Sequence, residues 1–336
     1  MNPRRTVTLL ILTAVLIGLG VAVALTVNLM PEEASRQAQM VDGLFRGLMG
    51  VATVIFLGVE GALLYAVLRF RRRRGDETDG PAVHGNNALE AIWIAIPALI
   101  VIVISFASFR VLIASGASEP QPLVVEVVGR QFVWEFRYPE ADVVSSELHL
   151  PLNRQVRFAI SSDDVIHSLW IPVFRVKQDA TPGRVAEMVI TPTRAGRYPI
   201  RCAEFCGAAH TTMTSEVVVE SAEEFAAWLQ AQQVAGMSGG AGQAGRQLFT
   251  QYGCSACHAL ADAGARGTVG PSLDGIGTTA ASRVPGLDAR AYIEQSILDP
   301  HAFVAEGFPS GVMPPSFGER LSQEQLRALI DYLLSQ

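Results

Sequence analysis

The sequence predicts a multidomain chain in three parts: N-terminal transmembrane helices, then an all-β sandwich, then an all-α domain. Three observations predict it. The long uncharged runs are confined to the first third of the chain, alternating branched and aromatic runs fill residues 122–221, and a Gly-, Ala-, Ser- and Gln-rich stretch then leads into a segment that is helical at both ends. Of the 336 residues 49 % are hydrophobic and only 17 % charged, too apolar a balance for an ordinary soluble protein of this size. The net charge of −6 excludes a basic nucleic-acid binder, and four cysteines are too few to build a disulfide scaffold.

Residues 7–29 carry no charge, residues 47–68 carry only Glu60, and residues 91–109 again carry none. Each run is long enough to cross a hydrocarbon core of about 30 Å as a helix. Arg4 and Arg5 precede the first run and Arg69 with Arg71, Arg72, Arg73 and Arg74 follow the second. By the positive-inside rule the N-terminus and the 69–90 loop are cytoplasmic, which puts everything after Phe109 outside. Residues 1–30 read as a first transmembrane helix or a signal peptide, the apolar run being longer than the usual signal core. Residues 44–113 read as a transmembrane hairpin. Glu60 falls near the membrane midplane, where a carboxylate is a functional candidate by default, with protonation or pairing at a subunit interface as the alternative.

The β segment spans residues 120–234. Its runs at 123–128, 132–138, 156–160, 185–190 and 216–219 are punctuated by Pro and Gly, and a helix at 222–234 closes it, with Ser221 as N-cap and Glu224 at the capping-box position. Residues 235–245 lack apolar periodicity and read as a flexible linker, and residues 246–336 form the last domain. His84, His149 and His301 read as surface residues.

Two constellations carry chemistry. Cys202, Glu204, Cys206, His210 and Met213 share one short stretch, with His167 upstream. Thiolate, thioether and imidazole together suit copper or zinc far better than magnesium or calcium. Two thiolates four residues apart can bridge two ions, leaving His167 and His210 to cap one each, Met213 to sit axially on one, and the Glu204 main-chain carbonyl to reach the other. A dinuclear centre therefore suits the pattern best. A Cys202–Cys206 disulfide and a structural zinc site are the alternatives, and neither uses every member of the set.

The second constellation, Cys254-Ser255-Ala256-Cys257-His258, is the c-type haem attachment pattern, with two thioethers and a proximal imidazole from His258. A redox dithiol is the alternative. Met313, in Val312-Met313-Pro314-Pro315, is the only methionine after Cys254 and the leading candidate for the sixth iron ligand, ahead of His301.

On these residues, 43–234 resembles the copper-A subunit II of cytochrome c oxidase, whose soluble part is a cupredoxin-like sandwich. The match takes in His167, Cys202, Glu204, Cys206, His210 and Met213, the runs 164–168 and 177–184, and Glu90, Trp93 and Pro97. Residues 246–336 resemble class I cytochromes c. The resemblance implies a dinuclear copper-A centre, one covalent haem c, and a magnesium site that the Glu204 side chain shares with subunit I. It places Glu90 near the mouth of a proton channel. In the last domain it implies that the Pro271 carbonyl accepts the His258 Nδ1 proton and that Phe249 packs near Tyr332. One position departs from the pattern: the family commonly has Trp where this chain has Phe132, and that Trp is the usual point of arrival for electrons from soluble cytochrome c.

The expected function is that of subunit II of a caa3-type cytochrome c oxidase. Electrons pass from haem c to copper-A and on to haem a of subunit I, where oxygen is reduced at haem a3 and its copper with proton translocation. The chain itself has no catalytic site for oxygen. The expected partners are subunit I, subunit III and a soluble or membrane-bound cytochrome donor, and the expected location is the bacterial plasma membrane with both redox domains on the periplasmic side. A free-standing membrane electron carrier and a copper-A subunit of a nitric-oxide reductase are the alternatives.

Overall fold

The computed structural model describes residues 3–72, 75, 80, 85–238 and 241–336. Arg73, Arg74 and His84 lie outside the described residues. Two compact units result, Met1–Glu32 with Ala38–Ala117 and Glu33–Gln37 with Ser118–Gln336.

The first unit is built from helices α1 (Pro3–Thr26), α2 (Arg36–Phe70) and α3 (Asn87–Ser115). Among the described residues two helices, α2 and α3, are long and apolar enough to cross a membrane, and α1 contributes a shorter apolar stretch, Leu10–Thr26. Their large side chains, such as Leu64, Ile102 and Leu112, are exposed, as a lipid-facing surface requires. Gly20 of α1 meets Gly50 of α2, where an added Cβ would strike the opposing backbone, so small residues set this close approach. Asn86 caps α3 by accepting hydrogen bonds from the amides of Ala88 and Leu89, and Glu90 lies in the first turn, where a carboxylate complements the helix dipole.

The second unit begins with ten strands in two sheets: β1 (Leu123–Arg130), β2 (Val133–Tyr138), β3 (Val143–Ser145), β4 (Leu148–Pro151), β5 (Val156–Ser162), β6 (His167–Ile171), β7 (Val176–Ala180), β8 (Ala186–Ile190), β9 (Gly196–Cys202) and β10 (Thr214–Glu220). One sheet runs β3-β2-β1-β5-β8 and the other β4-β10-β9-β6-β7. The β1–β5 and β4–β10 pairs are parallel, and the remaining pairs are antiparallel. Strand β5 alternates strictly between buried and half-buried positions, the period-2 signature of one face turned to a core. Trp134, Phe136, Tyr138, Phe158 and Phe174 fill the space between the sheets. Residues 33–37 are stitched to the same sandwich: Ala34 N donates to Val173 O and Thr191 N to the Gln37 side chain.

Helix α4 (Ala222–Ser238) starts with the expected capping box, Ser221 N donating to Glu224 Oε2 at 2.9 Å and Glu224 N to Ser221 Oγ at 3.2 Å. It packs Phe225 and Trp228 onto Tyr138. His149, expected at the surface, is instead buried: its ring stacks on Trp228 at 4.0 Å and Nδ1 lies 2.9 Å from Glu220 Oε1. The helix laid across β4 covers it, a contact that no local pattern announces.

The linker expectation is also corrected. Helix α4 continues through Ser238 and α5 (Ala241–Gln251) begins three residues later, so most of residues 235–245 are helical. Ala, Gln and Met are strong helix formers, and α5 is held by tertiary packing of Leu248 and Phe249. The remaining helices are α6 (Cys254–Cys257), α7 (Ile276–Thr279), α8 (Ala289–Leu298), α9 (Phe317–Arg320) and α10 (Gln323–Leu334). Phe249 and Tyr332 meet with ring centroids 6.2 Å apart where α5 crosses α10, as the resemblance implied.

Candidate functional site

The first site forms where β6, β9 and β10 end together. His167 opens β6, Cys202 closes β9, and Met213 directly precedes β10. Cys202 N donates to Met213 O and Ala203 N to Ser168 O, which pins both ends of the intervening loop. Cys206 and His210 lie on that loop.

The structure brings the predicted side chains together. Cys202 Sγ lies 3.9 Å from Cys206 Sγ, 3.9 Å from His167 Nδ1 and 3.2 Å from the Glu204 carbonyl oxygen. Cys206 Sγ lies 3.4 Å from His210 Nδ1 and 3.8 Å from Met213 Sδ. His167 and Met213 are fully buried, while the Glu204 side chain points to solvent. Both cysteines are free thiols. Their 3.9 Å separation is far beyond a disulfide bond of about 2.05 Å, yet shorter than twice a metal–thiolate bond of about 2.3 Å. Both sulfurs can therefore bind the same ion, and the soft donor set fits copper.

Burial opposes ionisation of Cys202, but hydrogen bonds involving His167, Ser168 and Glu204 bring its thiol down to about 7. Burial, then the neighbouring Cys202, pushes Cys206 up to about 12. Sequence reasoning missed the outer partners. Asp164 Oδ1 lies 2.8 Å from His167 Nε2, turning Nδ1 toward the sulfurs. Gln131 Nε2 donates to Cys206 O at 2.6 Å. An Asp three residues before a ligand His was the available signal for the first; nothing local could have signalled the second.

The other site is an apolar cleft in the C-terminal segment, lined by Cys254, Cys257, His258, His301, Met313 and Phe317 among others. His258 Nδ1 donates to the Pro271 carbonyl at 2.8 Å, so Nε2 is left as the unprotonated nitrogen. Burial lowers the imidazole's proton affinity, which keeps it neutral and able to ligate. Burial likewise pushes the Cys254 thiol up to about 12 and raises Cys257. An apolar cleft with two thiols and a pre-oriented imidazole at its wall fits a covalently attached porphyrin. Met313 and His301 both line it, so either is within the same cleft as His258.

Comparison with known proteins agrees with this division. Residues 22–111 match the family model for the cytochrome c oxidase subunit II transmembrane domain, residues 143–222 that for its periplasmic domain, and residues 242–336 that for cytochrome c. A cytochrome c oxidase subunit 2 from Synechocystis is 38 % identical over 251 residues, covering 61 % of this chain and 76 % of the relative. Another, from Alkalihalophilus pseudofirmus, is 28 % identical over 312 residues, covering 89 % and 88 %. Among solved structures, the periplasmic domain of subunit II of cytochrome oxidase from Bradyrhizobium japonicum is 28 % identical with a TM-score of 0.33, covering 34 % of this chain and 96 % of that one.

Proposed function

The chain belongs to the cytochrome c oxidase subunit II family, and from that premise we propose that it is the electron-accepting subunit of a caa3-type oxidase. In this reading it takes electrons at a covalent haem c, passes them to a dinuclear copper-A centre and delivers them to haem a of subunit I. The family places the chain in a haem–copper oxidoreductase complex, and its subunit II and cytochrome c regions bind copper and haem c.

Bound copper and haem supply the one-electron redox chemistry. The chain's own residues hold and tune them. Cys202, Cys206, His167 and His210 would hold the copper, with Met213 beside Cys206 and the Glu204 carbonyl beside Cys202 as further donors. His258 is oriented by Pro271; Cys254 and Cys257 would carry the thioethers and Met313, which lines the same cleft, would be the sixth iron ligand. The Glu204 side chain, exposed here, is free to reach a magnesium ion shared with subunit I. Glu90, in the first turn of α3, belongs on the same reading at the mouth of a proton route. The arginines after α2 support the part of this reading that has that end in the cytoplasm and both redox domains in the periplasm of a bacterial plasma membrane. Subunit III and a cytochrome donor complete the expected partners.

The observation that carries the copper assignment is that each thiol has its own imidazole while the two sulfurs stay within bridging distance. Electron paramagnetic resonance of the oxidised protein tests it: one unpaired electron shared equally by two copper nuclei is expected, and a single-copper spectrum overturns it. Co-purification tests the assembly. Haem a and a large polytopic subunit should accompany the chain; a chain that runs alone would be a free-standing carrier.

A further inference from the structure

Arg320, the last residue of α9, is half-buried behind the wall of the haem cleft. Its guanidinium carbon lies 5.3 Å from the centre of the Phe317 ring and 5.4 Å from that of Tyr252, and both rings line the cleft. Two aromatic faces therefore hold the cation in place. The Tyr252 hydroxyl also donates to the Arg320 carbonyl at 3.1 Å, which ties down the backbone. Nε and Nη2 of Arg320 are buried and, among the described residues, find no hydrogen-bond partner.

On its polar side Arg320 shares a cavity with Arg130, Arg137, Glu135 and Asp163. The carboxylates there are already engaged. Glu135 accepts from Arg130 through one oxygen and from Arg137 through the other, and Asp163 accepts from Arg130. Three arginines thus face two carboxylates, and among the described residues Arg320 is the one of the three without an ion pair. Burial, then the charge of Arg130, pulls its pKa below the usual arginine value against the opposing pull of Asp164, Tyr252 and Glu135, yet an arginine keeps its proton. The charge is felt in the cleft, where it partly counters the burial that raises the Cys254 thiol.

A cation fixed behind the wall of an apolar cleft acts on any charge that changes inside it. Ferric haem takes up one electron to become ferrous and loses one positive charge; no bond breaks and no proton moves. Repulsion by a nearby cation is therefore stronger in the ferric state. We propose that Arg320 is a potential-setting residue of the haem domain, its uncompensated charge favouring the ferrous state and raising the iron potential beyond what the axial ligands supply. The proposal rests on the haem reading above and deepens it. Its consequence is a division of driving force: transfer from an external donor to the haem becomes more favourable, and transfer onward to copper becomes shallower.

The test is a redox titration of the haem absorbance in the full chain, in its assembled, copper- and haem-loaded complex. At a fixed ambient potential, Arg320→Gln should lower the ferrous-to-ferric ratio by about tenfold, the effect of one charge roughly 10 Å away at an effective dielectric of about 20, equivalent to about 59 mV for one electron. Arg320→Lys keeps the charge and should recover most of the ratio. Arg327→Gln, which removes an exposed arginine on α10, should leave it unchanged. An unchanged ratio in Arg320→Gln overturns the proposal. An equal fall in Arg320→Lys also overturns it, because the effect would then be structural, and an equal fall in Arg327→Gln does so by reducing it to net charge. Should Arg320→Gln fail to retain haem, Gln251→Glu decides: it sets a carboxylate in the same cavity with Arg320 in place, so a lowered ratio supports the proposal and an unchanged one overturns it. Absence of covalent haem from the native chain would instead defeat the haem assignment, so the two failures are distinguishable.

Discussion

Asp164 Oδ1 sits 2.8 Å from His167 Nε2, and the other oxygen of the same carboxylate accepts the Gln131 amide at 2.7 Å. One side chain therefore orients His167, a proposed copper ligand, and holds the turn that carries Phe132. Asp164→Asn should weaken copper affinity by about 10- to 100-fold, the usual cost of losing an outer partner of a ligating histidine. Copper titration checks this, and unchanged affinity would mean that β6 alone orients the imidazole.

Replacing a thiol proposed to bridge the coppers is a different perturbation. Cys206→Ser should abolish equal sharing of the unpaired electron between two coppers while the sandwich persists, because its core is formed by Trp134, Phe136 and Phe158 rather than by the metal loop. Electron paramagnetic resonance and circular dichroism report the two parts separately.

In the haem domain, Cys257→Ala should weaken retention of haem through acid-acetone extraction, since one of two thioethers is lost. Met313→Ala should leave attachment intact and lower the iron potential, because thioether ligation raises it relative to water or His301. A redox titration decides, and an unchanged potential would assign the ligand elsewhere in the cleft.

Tyr138 both donates to His149 O at 2.9 Å and accepts from His149 N at 2.7 Å. Tyr138→Phe leaves a buried amide unsatisfied, which costs about 1–3 kcal/mol. A lowered thermal midpoint of the full chain with copper content intact is the expected result; an unshifted midpoint would show that the amide finds another partner.

Ending the chain after Val234 removes the haem domain and uncovers Phe132. Oxidase assembly and the copper centre should survive, while turnover with the natural donor falls sharply. Phe132→Trp in that shortened chain should restore part of the rate with a basic soluble cytochrome c, more so at low salt, where electrostatic steering is stronger. Unchanged turnover on truncation would show that the fused haem is not the route in.

The clustering of the candidate site residues was legible in the sequence because it is encoded in local spacing. Cys202, Cys206, His210 and Met213 lie within twelve residues on one loop, and Cys254, Cys257 and His258 within five, so chain geometry alone limits their separation. The apolar runs and the alternation of β5 were equally readable, since burial in lipid or on one face of a sheet imposes a period on every residue. What depended on distant partners was not readable. His149 looks like a surface residue until α4 lays Trp228 over it, and residues 235–245 look like a linker until α5 packs against α10. Phe132 looks like a lost docking residue until the haem cleft closes on it. In each case the deciding free energy is the burial of one segment against another far away in sequence, and only the folded chain brings those segments together.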